Sequence, residues 1–139
     1  MSNDREKSLT QLENEDWGPS TYESYLVRTV HRLRQKPICA FTVEDLRITV
    51  GQNIGLSHLI PIATEYLERN PLTEGDCYPG DLLCSVLRAD RTYWHANEDQ
   101  RQLVISIVER ALRQMEHADE STKMNREVIE ESVSAFHSR

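Results

Sequence analysis

Apolar side chains recur along this chain at three- and four-residue steps, the period of a helix that buries one face, and short polar or turn-forming segments separate the stripes. Ser8 and Gln11 stand at capping-box spacing and open a brief helical turn in which Leu9 and Leu12 are apolar. Asp16-Trp17-Gly18-Pro19 breaks that turn. A second box, Ser20 with Glu23, precedes Tyr22, Tyr25, Leu26, Thr29, Val30 and Leu33, which share one helical face. The spacing predicts a helix from residue 21 to about 35, ending before Pro37, with Tyr22 and Tyr25 filling the core. Thr42 followed by Glu44 and Asp45 starts another, with Val43, Leu46 and Val50 as its stripe up to Gly51.

Leu56, Leu59, Ile60, Ala63 and Leu67 predict a helix over roughly residues 56–70, best accommodated with Pro61 in its first turn. Asn70-Pro71 stops it, and residues 74–81 are dense in turn chemistry and carboxylates. Leu82, Leu83, Val86 and Leu87 follow as a short helix, for which Asp81 is the natural cap. The longest helix is expected over residues 98–116, where Leu103, Val104, Ile107, Val108, Ala111, Leu112 and Met115 make a broad apolar face. Beyond it the chain turns polar; Met124, Val128, Val133 and Phe136 align loosely, consistent with one more helix over 122–139 or with a frayed tail. No strand pair, internal repeat or second domain is visible. The expected fold is all-α, an irregular single-domain bundle of about five to seven helices, with residues 1–116 as the helical domain and 117–139 a polar tail or extra helix.

Composition narrows the function. At 139 residues one core is affordable. The formal charge of −7 opposes a general nucleic-acid binder, which needs a clustered cationic surplus, and suits a basic protein partner. Cys39, Cys77 and Cys84 make an odd set without a CxxC pair, the N-terminal residues are charged, and no apolar stretch reaches membrane-spanning length. Reduced thiols in a cytoplasm are the simplest expectation.

Familiar catalytic signatures are missing: there is no Walker A loop, GxGxxG, HExxH or GxSxG. Cys77 and Cys84 straddle a Pro-Gly turn at poor zinc spacing, so neither a metal nor another cofactor is expected. His31, His58, His95, His117 and His137 are not brought together by any local pattern; a small hydrolase or nuclease using His31 or His95 stays open as an alternative, as does a helical adaptor. Trp17, Tyr78 and Trp94 fall in or near expected loops, where they either pack a loop down or meet a partner. The carboxylates give the sharper signal. Glu13, Glu15 and Asp16 cluster before the first break, and Glu65, Glu68, Glu74, Asp76 and Asp81 cluster around the fourth helix and the turn after it. These residues, with Tyr78 as an anchor, are the candidate partner-binding surface, one able to cover a basic phosphate-binding cleft. Glu127, Glu130 and Glu131 form a competing location.

A longer pattern runs through these residues. Leu12-Glu13 with Asp16-Trp17-Gly18, Tyr25-Leu26-Val27 and His31-Arg32-Leu33-Arg34 before Lys36-Pro37-Ile38 form its first part. Phe41-Thr42-Val43-Glu44-Asp45-Leu46-Arg47-Ile48 and Gly51-Gln52-Asn53-Ile54-Gly55-Leu56 form its centre. Asn70-Pro71-Leu72 and the run from Glu74-Gly75-Asp76-Cys77-Tyr78 through Pro79-Gly80-Asp81-Leu82-Leu83 complete it. The pattern resembles a family of bacterial contact-dependent growth inhibition (CDI) immunity proteins, over about residues 9 to 112. That resemblance implies a cytoplasmic antidote that binds the C-terminal toxin domain, often a nuclease, of a large exported protein and blocks it stoichiometrically. Gly51, Gly55, Pro79 and Gly80 then read as framework, while discrimination between toxins belongs to surface residues outside it. A free monomer is expected, since the stripes leave no obvious spare apolar patch.

Overall fold

The first helix forms where its capping box requires. Ser8 Oγ accepts from the Gln11 N–H, and the Gln11 side chain accepts from the Ser8 N–H, so α1 (Leu9–Glu13) starts with both donors satisfied. The computed structural model describes residues 3–17, 24–118, 120 and 125–138. After α1 come α2 (Tyr25–Leu33), α3 (Val43–Gly51), α4 (Leu56–Arg69), α5 (Asp81–Leu87), α6 (Arg91–Ala96), α7 (Glu98–Glu116) and α8 (Arg126–His137). Short 3-10 turns cover Asn3–Glu6 and Ile38–Ala40. The fold is all-α, with no strand among the described residues. The bundle holds eight α-helices among the described residues, and the one that periodicity did not announce is the brief α6.

Local chemistry explains most boundaries. Thr42 and Asp45 form the reciprocal box that starts α3, and Ser24 Oγ accepts from Val27 to start α2. The Ser20–Glu23 box and Tyr22 lie outside the described residues. Pro61 does not sit in the first turn of α4: that helix begins at Leu56, and Pro61 stands within it. The carbonyl that proline leaves without a donor belongs to Ser57, which is exposed, so water can satisfy it.

Helix α5 is the centre of the molecule. Leu82, Leu83, Val86 and Leu87 are fully buried and Cys84 nearly so, the signature of a helix apolar on every side. α3 packs on one side of it and α8 on another, while α4 joins α3 to α7 and α6 lies on α7. Trp94, 1% exposed, meets Tyr93 and Phe136 edge-on at centroid separations of 5.0 and 5.2 Å. Trp94 is therefore a core residue on α6, not a loop aromatic. Residues after 116 include α8, whose Ile129, Val133 and Phe136 enter the same core. Ile129 and the buried Ser132 define its inner stripe, with Val128 displaced to the exposed edge. Cys39 and Cys77 are exposed free thiols and Cys84 is a buried one. No described helix is long and apolar enough to cross a membrane.

Candidate functional site

The acidic turn between α4 and α5 is held from within by carboxylates. Asn70 Oδ1 accepts from the Leu72 N–H, and Thr73 Oγ1 donates back to the Asn70 carbonyl, which turns the chain away from α4. One Asp81 carboxylate oxygen then accepts the Gly75 N–H at 2.7 Å, and the other accepts those of Cys77 and Tyr78 at 2.9 and 3.3 Å. Glu44 of α3 accepts the Asp76 N–H at 2.9 Å and binds Arg47 through both carboxylate oxygens. The Arg47 Nε also lies 3.9 Å from Asp81. Its hydrogen bonds hold the Glu44 carboxyl below the ordinary range and raise Arg47 in turn. Asp81 was expected to cap α5. Instead it is the first residue of that helix, its side chain points back into the preceding turn, and Gly80 stands at the cap position with φ +92.

This anchoring fixes what the turn presents. Glu74, Gly75 and Asp76 line a shallow depression with Tyr25, Arg32 and Ile48. Ile48 also lines a neighbouring groove of about 400 Å³, with Leu26, Arg47, Tyr78, Arg88 and Val128. Because Tyr25 and Leu26 are adjacent and Ile48 is shared, the two depressions form one continuous face. Tyr25 is 72% exposed, Leu26 40% and Val128 38%. Tyr78 is half-buried; burial and its contact with the Cys84 thiol push its phenol above the ordinary value.

The other predicted site residues go elsewhere. Glu13 pairs with Arg34, which is 1% exposed, donates to the Glu15 carbonyl and lies 4.4 Å over the Trp17 ring. Asp16 accepts from Gln35. That first acidic cluster is thus tied onto the C-terminal end of α2. Glu65 pairs with Arg5, while Glu68 is exposed near the end of α4, its carbonyl accepting from Arg110. The structure brings Glu74, Asp76 and Tyr78 to one face, sets Glu13, Glu15, Asp16, Glu65 and Glu68 on other surfaces, and buries Asp81 to 2% exposure. The histidines stand on separate elements: His31 edge-on to Trp17, His58 in α4, His95 in α6, His117 just past α7 and His137 ending α8.

Sequence reasoning missed Tyr25, Leu26 and Val128 as surface groups. Tyr25 falls on the apolar stripe of α2 and was expected in the core, but it is the first residue of the helix and stands 72% exposed beside Ile48 and Asp76. Ser24 as a cap residue was the available signal.

A family model described as CDI immunity proteins matches residues 11–104, which takes in α2 to α6, the anchored turn and the first part of α7. No curated protein and no solved structure matches the chain. The match covers well over half of the sequence, including both the carboxylate-held turn and the helices that carry its supports. The chain belongs to the family of CDI immunity proteins.

Proposed function

We propose that the chain neutralises the C-terminal toxin domain of its cognate CDI effector by holding it in a one-to-one complex, with no turnover of its own. The toxin domain is a basic one, a nuclease whose phosphate-binding groups the acidic chain covers in the cytoplasm of the protected cell. The observation that carries this reading is a single face on which Tyr25, 72% exposed, stands with Glu74 and Asp76. An exposed aromatic ring supplies contact area with little conformational freedom to lose, and tyrosine is enriched among dominant interface residues. Carboxylates around it steer a basic partner and reject an acidic one. The net charge of −7 acts in the same direction over longer range. Among the described residues the exposed large apolar groups are few, which fits a free chain that is a monomer.

Stoichiometric capture and catalytic inactivation differ in a titration. Cognate toxin domain at fixed concentration, assayed for nuclease activity against increasing amounts of the chain, is expected to lose activity linearly to an end point at equimolar protein. Complete protection at a small fraction of equimolar would instead mean turnover, and unaffected toxin would refute neutralisation altogether.

A further inference from the structure

The groove has two walls of different standing. Leu26, Ile48 and Tyr78 belong to the segment matched to the family, whereas Val128 belongs to α8, which lies outside residues 11–104. α8 is nevertheless built into the fold. Ile129 and Phe136 are fully buried, Arg88 Nε donates to Ser132 Oγ at 2.9 Å, and the Ile129 side chain lies so close to Gly80 that an added Cβ there would meet it at 2.7 Å. These contacts fix the position of Val128 and, one turn further on the same side, of Glu131.

We infer that α8 is the selectivity wall of the partner groove, with Val128, Glu127 and Glu131 choosing among toxin domains. Its occupant is an apolar side chain of the cognate toxin domain flanked by lysine or arginine. The inference rests on the reading above that the chain captures such a domain. Members that share a framework distinguish partners through elements free to differ, and the wall contributed by α8 is the part of this groove outside the shared segment. Arg47 and Arg88 line the groove but are engaged by Glu44, Asp81 and Ser132. Glu74 and Asp76, and Glu127 and Glu131 on α8 around Val128, are exposed and have no ion pair among the described residues, and the exposed Arg32 lines the same depression as Glu74 and Asp76. The unspent charge around the apolar strip is therefore mainly negative, which a basic flank complements.

The test measures binding of the cognate toxin domain to the full chain, to Val128→Lys and to Glu131→Lys, with Arg113→Ala on α7 as a control. Both α8 substitutions are at exposed positions, and thermal unfolding of each variant checks that the fold is kept. Each α8 variant is expected to bind at least about tenfold more weakly, with the control unchanged. Carboxyl-directed footprinting of the unmodified complex gives a readout independent of any variant: Glu127 and Glu131 should be protected. Wild-type binding with both variants equal to it, and both glutamates labelled as in the free chain, would overturn the role of α8 alone. Failure of the wild-type chain to bind the toxin domain would overturn the neutralisation reading and this inference with it.

Discussion

The carboxylate of Asp81 accepts three backbone N–H groups from the turn it follows, and it does so while 2% exposed. Removing one oxygen's acceptor capacity leaves part-buried donors of the turn without their partner. We expect Asp81→Asn to destabilise the protein by about 2–3 kcal/mol, measured by urea unfolding, and to weaken toxin capture only through the disordered turn. Gly80 is a sharper case. Its φ of +92 disfavours any L side chain, and a Cβ would meet Ile129 Cδ1 at 2.7 Å, so Gly80→Ala should cost about 2–4 kcal/mol. Gly51 looks similar in sequence, yet a Cβ there meets Ser85 at an ordinary 3.5 Å, and Gly51→Ala should be neutral within about 1 kcal/mol. Glu44 links pH to the same turn. Because Arg47 holds its carboxyl below the ordinary 4.5, the stability it contributes is complete above that value and is lost as pH falls through the depressed one. Asp45 adds to this acid sensitivity: burial pushes its carboxyl up, but the Lys36 ammonium and the Thr42 N–H outweigh it and bring it down. The slope of unfolding free energy against pH between about 5 and 3 should be shallower in Glu44→Gln than in wild type.

Elements differ in how far a sequence can specify them. α1 and α3 announce themselves through reciprocal caps, and α7 through a stripe long enough to repeat, so their bounds match the expected ones closely. These are local signals, set within a few residues. α6 has six residues and no room for a stripe; only Asp90, whose side chain accepts from Thr92, marks it, and that left Trp94 looking like a loop residue. The direction in which Asp81 points is likewise decided by where the turn's amides end up, which no local spacing states. The candidate surface was legible in part: Glu74, Asp76 and Tyr78 do share a face, but Tyr25, Leu26 and Val128 join them only because α2, α3 and α8 converge over α5. For α8 the sequence offered a stripe through Val128, whereas packing against α5 selects Ile129, Ser132, Val133 and Phe136. The two readings separate in a pair of variants. Phe136→Ala, removing a fully buried ring packed on Trp94, should cost about 3–5 kcal/mol. Val128→Ala should stay within about 0.5 kcal/mol, and equal effects from the two would mean that α8 is not seated as described.

At the scale of the whole molecule, one buried helix organises the surface. α5 holds α3 and α8 on its flanks, its first residue ties down the acidic turn, and the groove face forms over the convergence. Leu82, Leu83, Val86 and Leu87 are fully buried on this short element, which seats the helices whose side chains line the face. Electrostatics acts over the same dimension. A chain of net charge −7 approaches a basic domain faster at low salt than at high, because exposed charges are screened beyond about 8 Å at physiological ionic strength. The central claim is that this CDI immunity protein works by direct capture of its toxin domain. The most direct measurement is the affinity of the purified chain for the C-terminal domain of the cognate effector, by calorimetry at low and moderate salt. A one-to-one complex of about nanomolar Kd is expected, weakening as salt rises. Absence of binding at both salt concentrations, with both proteins folded, would contradict it.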